Sequence, residues 1–305
     1  MTIFIHVGYH RTGTSWLQNN IFPNHPKINF WDPSKSDYSW LKEIATTHDL
    51  DFDAKKFCKK YRENKSKKSN EIIGISWERF SGHIFEGAYD SARNAHRLHE
   101  VFPEAKIVIF IRNQLDMIKS MYKLYIMIGG SCTVDQFINL KYSTDVDFHL
   151  QHLCYDKLLD HYQNLFGENS LYVSMHEILR NSPQACLDDM FKFVGLEPYS
   201  FDDEIFQTES NVGLSYISLR MMRLLNRFVK SRSNPAPVIS FIKSRSIRRI
   251  LQGYIDPILS NHITSNSNLL EKELETKLRG YFGKSNRKLM EEYNLPLEKY
   301  NYPLD

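Results

Sequence analysis

The segment that most limits how this chain folds is its opening, where a short apolar run meets a turn rich in glycine and threonine. Thr2–Val7 is rich in β-forming residues and ends at Gly8. Thr14–Phe22 then has a helical pattern that stops before Pro23. The glycines stand at the spacing of the phosphate-binding pattern GxxxxGK[ST], whose backbone N–H groups face an anion at a helix N-terminus. The opening therefore predicts a strand, a phosphate-binding loop and a helix.

Short apolar runs alternate with helical patterns after this opening. Strands are predicted at 71–76, 106–111 and 170–174, and helices at 37–64, 90–101, 113–128 and 182–195. The run KIVIFI at 106–111 is continuous, as expected of a strand that is covered on both faces. This alternation predicts an α/β fold with a central parallel sheet flanked by helices. From about residue 213 onward the pattern is helical only, which we interpret as an elaboration of the same domain.

The loop differs from that of a nucleoside triphosphatase. Thr14 stands where such enzymes have lysine, and the cation of the loop is Arg11. The run KIVIFI ends in Arg112 and not in an aspartate that would help to hold Mg²⁺. The hydroxyls of Thr12, Thr14 and Ser15 add donors for an anion. The loop therefore suits a nucleotide with anionic groups at two places and no metal.

A second anion site is predicted at the end of the run 106–111. Ser120 lies seven residues after Asn113, about two helical turns, and so shares a helix face with the first turn. The Arg112 fork and the Ser120 hydroxyl would then bind one phosphate together. The alternative is that Arg112 forms a salt bridge at the helix end and that Ser120 is a solvated hydroxyl.

Taken together, these two elements resemble those of the sulfotransferase family. The segment GYHRTGTSWLQ is similar to the family's 5′-phosphosulfate loop, and IRNQLDMIKSMY is similar to its 3′-phosphate element. The later segments LYVSMHEILRNSPQACLDDMFKFVGLEP and NVGLSYISLRMMRLLNRF also resemble family stretches, so the resemblance covers roughly residues 2–230. The family's RKGxxG segment, used by cytosolic animal members, is missing, and the chain looks like the bacterial branch.

The resemblance implies a three-layer P-loop-like fold and transfer of a sulfuryl group from 3′-phosphoadenosine 5′-phosphosulfate to an acceptor hydroxyl, or less often an amine. The product would be adenosine 3′,5′-bisphosphate, and no metal is implied. A single domain over 1–305 is expected, with a core of about 2–200 and a helical extension of about 213–305. The residues that would bind the nucleotide are Arg11, Thr12, Gly13, Thr14, Ser15, Trp16, Arg112, Ser120 and His176. Among these, Trp16 would stack on the adenine, and His176 replaces the tyrosine of the family's "YE" dipeptide.

The catalytic base is predicted at the end of the run 71–76. The family carries its base there, as a histidine in cytosolic members or as a glutamate within an "EK" dipeptide, which Glu78-Arg79 resembles. We therefore predict Glu78 as general base, with His83 as second candidate and with Arg11 neutralising the leaving phosphate. The alternative is that Glu78 pairs with Arg79 or Arg11 at the rim of the pocket.

Composition and charge bound the remaining choices. The formal net charge is +3, which does not favour a nucleic-acid partner, and no apolar stretch approaches the roughly 20 residues of a membrane span. The four cysteines are widely spaced, which suggests neither a zinc site nor a disulfide framework and favours the cytoplasm. The acceptor would be a small metabolite, a natural product or a saccharide. The sequence predicts no particular oligomeric state. The rival functions are a small-molecule kinase and a non-catalytic nucleotide-binding module.

Overall fold

A computed structural model describes residues 2–65, 72–139, 146–207, 215–230, 239–243 and 269–305. Its main sheet has five parallel strands in the spatial order β2-β3-β1-β4-β5. These strands are β1 (Ile3–His6), β2 (Ile28–Trp31), β3 (Ile72–Ser76), β4 (Lys106–Ile111) and β5 (Leu171–Met175). The predicted central parallel sheet flanked by helices is confirmed.

The helices lie between and after the strands. They are α1 (Thr14–Trp16), α2 (Trp40–Thr46), α3 (Ala54–Lys65), α4 (Ser91–Val101), α5 (Gln114–Met127), α6 (Val134–Ile138), α7 (Tyr155–Phe166), α8 (His176–Asn181), α9 (Pro183–Val194), α10 (Asp203–Phe206), α11 (Tyr216–Leu225) and α12 (Lys272–Tyr293). A π-helical segment, Leu17–Ile21, continues α1, and 3-10 turns include Glu78–Ser81 and Glu298–Tyr300.

The chain forms two compact units. The first unit comprises Met1–Asn113, Gln151–Thr208 and Ser285–Asn301, and the second comprises Gln114–Leu150, Glu209–Lys284 and Tyr302–Asp305. The first unit holds the whole five-stranded sheet. In the second unit, the Asn226 side-chain amide donates to the carbonyls of Ile126 and Gly130, at 2.8 and 2.7 Å, and so fixes the segment after α11 to the end of α5.

The sheet of the first unit is buried on both faces. Phe4 and Phe110 pack in one apolar cluster with Met190 of α9. Since side chains alternate along a strand, Ile5 and Ile109 point to the opposite face, where α7 packs against β4 and β5. Burial of these runs is the largest favourable contribution to folding, at about 25 cal/mol per Å² of apolar surface.

Parallel pairing brings four chain segments to one edge of the sheet. The carboxyl ends of β1, β3, β4 and β5 lie there, and ligands bind at this edge in open α/β sheets. The segments that follow these strands begin at Val7, Trp77, Arg112 and His176. The edge therefore unites the predicted loop, the predicted base and Arg112 of the predicted second anion site, all within the first unit.

The C-terminal part of α12 packs along α7 in the first unit. Ser285 donates a hydrogen bond to Asp156, and the Tyr293 hydroxyl donates to Gln163 Oε1 at 2.7 Å. Lys288 pairs with Asp160 at 2.5 Å, which raises the pKa of the lysine. These contacts place the turn Glu298–Tyr300 in the unit that contains the sheet.

Several local predictions differ from the structure. The helix predicted over Thr14–Phe22 is α-helical only at Thr14–Trp16, and residues 37–64 contain two separate helices, α2 and α3. Strand β2 was not predicted at all. The helical-only pattern after residue 213 was wrong, because Val229–Lys230 and Ile239–Lys243 form a two-stranded parallel pair.

Other predictions remain untested. The single domain over 1–305, with its core of about 2–200 and its extension of about 213–305, stays a prediction. The sequence has a basic stretch at 243–249, interpreted as a solvated face or, less favoured, as a loop that meets an anionic substrate, and only Lys243 of it falls within the described residues. No helix in the described part of the chain is long and apolar enough to cross a membrane.

Candidate active site

The loop between β1 and α1 has a backbone that depends on its glycines. Arg11 and Gly13 have φ angles of 65° and 89°, in the left-handed region. A Cβ atom on Gly8 would lie 2.5 Å from Thr14 Oγ1, so this position has no room for a side chain. Left-handed residues within a turn make successive N–H groups converge on one side, which forms a concave anion site. The backbone of the loop thus suits an anion, and binding of a phosphate by this loop stays a prediction.

Two of the loop hydroxyls are already engaged inside the loop. Thr12 Oγ1 donates to the carbonyl of Tyr9 at 2.7 Å, and Thr14 Oγ1 lies 3.4 Å from the same oxygen. Both threonines are buried, whereas Arg11 and Ser15 are exposed. Thr12 and Thr14 would therefore serve an anion through their backbone N–H groups, and their hydroxyls shape the turn.

Arg112 reaches the loop from the end of β4. Its Nη1 donates to the carbonyl of Arg11 at 3.0 Å. Desolvation of the Arg11 guanidinium, followed by the charge of Arg112, lowers the pKa of Arg11. In the described part of the chain, no carboxylate pairs with Arg112, so the alternative in which it forms a salt bridge is not observed. Two cationic groups therefore meet beside the loop.

The peptide group after Arg112 is bound on both sides. The Tyr155 hydroxyl donates to the carbonyl of Arg112 at 2.8 Å, and Glu177 Oε1 accepts from the N–H of Asn113 at 2.9 Å. The Asn113 side-chain amide donates to the carbonyls of Tyr300 and Asn301, at 3.1 and 2.9 Å. Helix α7, the start of α8 and the C-terminal turn thus all fix this strand end.

His176 begins α8 and lies against the loop. Its Nδ1 would be 3.7 Å from a Cβ atom on Gly13, and this nitrogen is buried without a hydrogen-bond partner among the described residues. Burial, and then the charges of Arg112 and Arg180, lower the pKa of His176 to about 4. The imidazole is therefore neutral at physiological pH and keeps a buried polar atom available beside the loop. Its predicted contact with the nucleotide stays a prediction.

Trp16 packs between the core and α10. Its Nε1 donates to the carbonyl of Ile205 at 3.1 Å, and its ring centroid lies 6.1 Å from that of Phe206. The indole is half-buried and packs against the apolar cluster that contains Phe4, Phe110 and Met190. Its N–H is thus satisfied by the fold, and adenine stacking by its ring stays a prediction.

The end of β3 is fixed by hydrogen bonds of its backbone and of Ser76. Ser76 Oγ lies 2.8 Å from His6 Nδ1, and the Gln18 amide donates to the carbonyl of Ser76 at 3.0 Å. Burial lowers the pKa of His6 to about 3, so this imidazole is neutral. In the following turn, Ser81 Oγ donates to the carbonyl of Gly8 at 3.0 Å, which ties the turn of Glu78 to the loop.

The Glu78 carboxylate itself is half-buried and, among the described residues, has no hydrogen-bond or ion-pair partner. Arg79 pairs instead with Asp90 at 3.8 Å, and its guanidinium lies 5.7 Å from the ring centroid of Trp77. The alternative in which Glu78 pairs with Arg79 or Arg11 is therefore not observed in this part of the structure. The predicted base keeps its lone pairs available.

The second candidate base, His83, is more engaged. Its Nε2 lies 3.4 Å from Glu86 Oε1, and its backbone N–H donates to Asp90 Oδ1 at 2.8 Å. A carboxylate at one ring nitrogen orients the imidazole and does not occupy its other nitrogen. The catalytic roles of both Glu78 and His83 stay predictions.

Ser120 belongs to the second unit, on α5, where it is buried and only 8% exposed. The alternative of a solvated hydroxyl therefore does not describe it. Its place two turns into the helix that follows Arg112 agrees with the predicted helix over 113–128. Its share in binding a 3′-phosphate stays a prediction.

Three side chains that bind the site segments were not predicted from the sequence. Tyr155 and Glu177 bind the peptide unit of Arg112 and Asn113 from 43 and 64 positions away, whereas Asp90 binds the N–H of His83 from seven positions away. The only available signal was the position of Glu177 directly after His176, in the dipeptide that resembles the family's "YE". The described residues contain no group of three or more His, Cys, Asp or Glu side chains arranged to hold a metal ion.

The arrangement has a definite chemical character. The Arg11 and Arg112 guanidiniums beside the loop can neutralise an extended anion. One unpaired carboxylate, Glu78, lies in a turn bonded to the same loop and can accept a proton. The site thus places two guanidiniums and a carboxylate on segments that adjoin one loop, which are the groups that transfer of a charged group to a hydroxyl uses.

Comparison with known proteins agrees with this character. Residues 3–203 match the model of the sulfotransferase family. None of the curated proteins that were compared matches the sequence. Among solved structures, a sulfotransferase from Alicyclobacillus acidocaldarius is similar, with 16% identity, a TM-score of 0.49, and coverage of 67% of this chain and 88% of that chain.

Two further structures are similar to a comparable degree. Mouse sulfotransferase SULT7A1 complexed with PAP has 13% identity and a TM-score of 0.47, with coverage of 98% of this chain and 88% of that chain. The sulfotransferase domain of the Synechococcus PCC 7002 olefin synthase has 12% identity and a TM-score of 0.39, with coverage of 83% and 94%. The family match spans the loop, the strand end with Arg112 and the turn with Glu78, and by that match the chain belongs to the sulfotransferase family.

Proposed function

We propose that this protein transfers the sulfuryl group of 3′-phosphoadenosine 5′-phosphosulfate to an acceptor hydroxyl. The observation that carries the proposal is the meeting of Arg112 with the carbonyl of Arg11, at 3.0 Å, without a pairing carboxylate among the described residues. One guanidinium then serves the 5′-phosphosulfate in the loop, and the other serves a second phosphate of the same nucleotide. Family membership supports the same reaction class.

The nucleotide fits the chemistry of this edge. Gly8 leaves room for the Thr14 side chain, Gly13 adopts the left-handed conformation of the turn, and the buried Nδ1 of His176 has no partner among the described residues. Arg11, Thr12, Gly13, Thr14 and Ser15 would bind the 5′-phosphosulfate, mostly through N–H groups. Arg112 and Ser120 would bind the 3′-phosphate, and Trp16 and His176 would contact the adenine.

Transfer would proceed by in-line displacement. The acceptor oxygen forms a bond to sulfur while the bond between sulfur and the bridging oxygen of the 5′-phosphate breaks. The acceptor proton passes to the Glu78 carboxylate, which is available because it has no other partner in the described structure. Arg11 neutralises the phosphate that leaves, but as a guanidinium it does not give up a proton. No metal is needed in this scheme.

The acceptor is proposed only as a class. It is a hydroxylated small metabolite, a natural product or a saccharide, and an amine acceptor is the less favoured form. The cysteines in the described residues are all free thiols, which supports a reducing compartment such as the cytoplasm.

Ligand-induced thermal shifts test the donor. The protein should be stabilised by adenosine 3′,5′-bisphosphate at concentrations where Mg-ATP has no effect, because binding to the native state raises its stability by mass action. Stabilisation by Mg-ATP alone would indicate a small-molecule kinase. With labelled sulfuryl donor and a panel of metabolite extracts, acceptor-dependent release of the bisphosphate should follow. Binding without any release would indicate a non-catalytic nucleotide-binding module.

A further inference from the structure

Tyr155 contacts both segments of the anion site. It lies at the start of α7 and is completely buried. Its hydroxyl donates to the carbonyl of Arg112 at 2.8 Å, and its ring packs edge-on against Tyr9 of the loop, with 4.8 Å between the ring centroids. A single side chain thus joins the loop and the strand end that carries the second guanidinium.

The contact with Arg112 involves a peptide group that is held from two sides. The carbonyl of Arg112 and the N–H of Asn113 belong to one planar peptide unit. Tyr155 binds the oxygen of this unit, and Glu177 binds its nitrogen at 2.9 Å. Two opposed hydrogen bonds fix the rotation of a planar unit, and this rotation sets the direction in which the Arg112 side chain leaves the strand.

The donor in this contact is permanent. Burial is the largest of the causes that raise the pKa of Tyr155 far above its ordinary value. The hydroxyl therefore stays protonated at physiological pH and donates to the carbonyl there.

We propose that Tyr155 is a positioning residue that sets the distance between Arg112 and the loop, and so sets the preference of the site for adenine nucleotides that carry a 3′-phosphate. The inference rests on the proposed function. Tyr155 touches no ligand in this proposal and acts through the backbone of Arg112. Without its hydroxyl, the peptide unit rotates more freely, and the guanidinium binds the 3′-phosphate less well.

Helix α7 offers a matched control. Tyr162 lies seven residues after Tyr155, about two turns along the helix, and is also completely buried. Its hydroxyl donates to the carbonyl of Phe80 at 3.3 Å, in the turn after β3. Tyr155→Phe and Tyr162→Phe thus remove the same atom from similar surroundings, but only the first releases the peptide unit of Arg112.

The experiment measures dissociation constants of adenosine 3′,5′-bisphosphate and adenosine 5′-monophosphate by calorimetry for the wild type and both variants. The ratio of the two constants reports on the 3′-phosphate alone. We expect Tyr155→Phe to reduce the preference for the bisphosphate by about threefold to tenfold, the worth of one hydrogen bond, and Tyr162→Phe to leave it unchanged. A shared loss of thermal stability in the two variants would not move this ratio.

The outcomes are distinguishable. An unchanged ratio in Tyr155→Phe, or an equal loss in Tyr162→Phe, overturns the positioning role while the proposed function stands. A wild type that binds both nucleotides equally overturns the proposed function, and this inference with it. Glu177→Ala releases the other side of the same peptide unit and should also lower the ratio, so it replaces Tyr155→Phe if that variant does not fold.

Discussion

The ends of strands β4 and β3 are organised in opposite ways. At the end of β4, the Arg112 side chain, its carbonyl and the next N–H are each bound, to Arg11, Tyr155 and Glu177. At the end of β3 the backbone is fixed through Ser76, but the Glu78 carboxylate has no partner among the described residues. One strand end presents a guanidinium held in place, and the other presents a carboxylate left open.

The difference fits two different tasks. A binding group gains affinity when its geometry is fixed before the ligand arrives, because less freedom is then lost on binding. A general base must instead have a lone pair that no neighbouring donor occupies. Hydrogen bonds therefore fix Arg112, which would bind the nucleotide, whereas the Glu78 carboxylate, which would accept a proton, has none among the described residues.

The strongest test of this comparison is Glu78→Gln. If the open carboxylate is the base, turnover should fall by about 10²- to 10⁴-fold, while the affinity for adenosine 3′,5′-bisphosphate stays the same. Acceptor-dependent bisphosphate release and calorimetry measure the two quantities. The exposed carboxyl of Glu104 serves as control, through Glu104→Gln, which should change neither. Full turnover in Glu78→Gln together with its loss in His83→Asn would transfer the role of base to His83.

The opposite strand end is tested by Arg112→Ala. Removal of a charged donor from a phosphate costs about 1.5–3 kcal/mol, so the bisphosphate should bind about tenfold to a hundredfold more weakly. Adenosine 5′-monophosphate should lose much less affinity. Arg62→Ala, on the exposed surface of α3, is the matched charge removal and should have no effect. Equal losses for both nucleotides would mean that Arg112 does not discriminate the 3′-phosphate.

A third test concerns His6 of β1, whose ring binds the side chain of Ser76 at the end of β3. Burial lowers the folded-state pKa of His6 to about 3, whereas an unfolded chain has an ordinary histidine pKa near 6.5. The unfolded state therefore binds more protons between these values, and stability should fall as the pH falls from about 6.5 towards 3. One proton corresponds to a slope of roughly 1 kcal/mol per pH unit. In urea unfolding at several pH values, His6→Asn should have a shallower slope than the wild type, and identical slopes would contradict the role of His6.

The smallest expected effect concerns the loop that both strand ends adjoin. Gly13 has a φ of 89°, so Gly13→Ala should lower the free energy of unfolding by about 1–2 kcal/mol. Gly280 lies within helix α12, where an added Cβ atom would meet nothing within 4 Å beyond its own stretch of helix, and Gly280→Ala should stabilise the protein slightly. Chemical denaturation compares the two. If Gly13→Ala raised the free energy of unfolding as Gly280→Ala does, the left-handed conformation at Gly13 would not disfavour a side chain.

The sequence predicted the strands that its composition makes obvious. β1, β3 and β4 are apolar runs with flanking breakers, and their predicted bounds agree with the structure within one or two residues. β2 is only Ile28–Trp31 and contains Asn29, so neither its length nor its pattern distinguishes it from a loop. It becomes a strand because β3 offers it a parallel edge.

The candidate site was predictable in its residues but not in its connections. Arg11 and Arg112 were predicted as separate cationic pockets, yet the structure joins them by a hydrogen bond between residues 101 positions apart. Tyr155 lacked any local signal, and Glu177 had only its position after His176, because each acts on a peptide unit of a distant segment. Hydrogen bonds between such distant segments depend on how the helices pack on the sheet. The periodicity of apolar residues in the sequence does not specify this packing.

The hydrogen bonds of Asn113 have a consequence for how the protein matures. Its side-chain amide reaches the carbonyls of Tyr300 and Asn301, almost two hundred positions later in the chain. A chain growing on the ribosome therefore has all five strands of the sheet long before residue 113 has its final partners. Synthesis of residues 300 and 301, not the completion of the sheet, finishes this corner of the molecule.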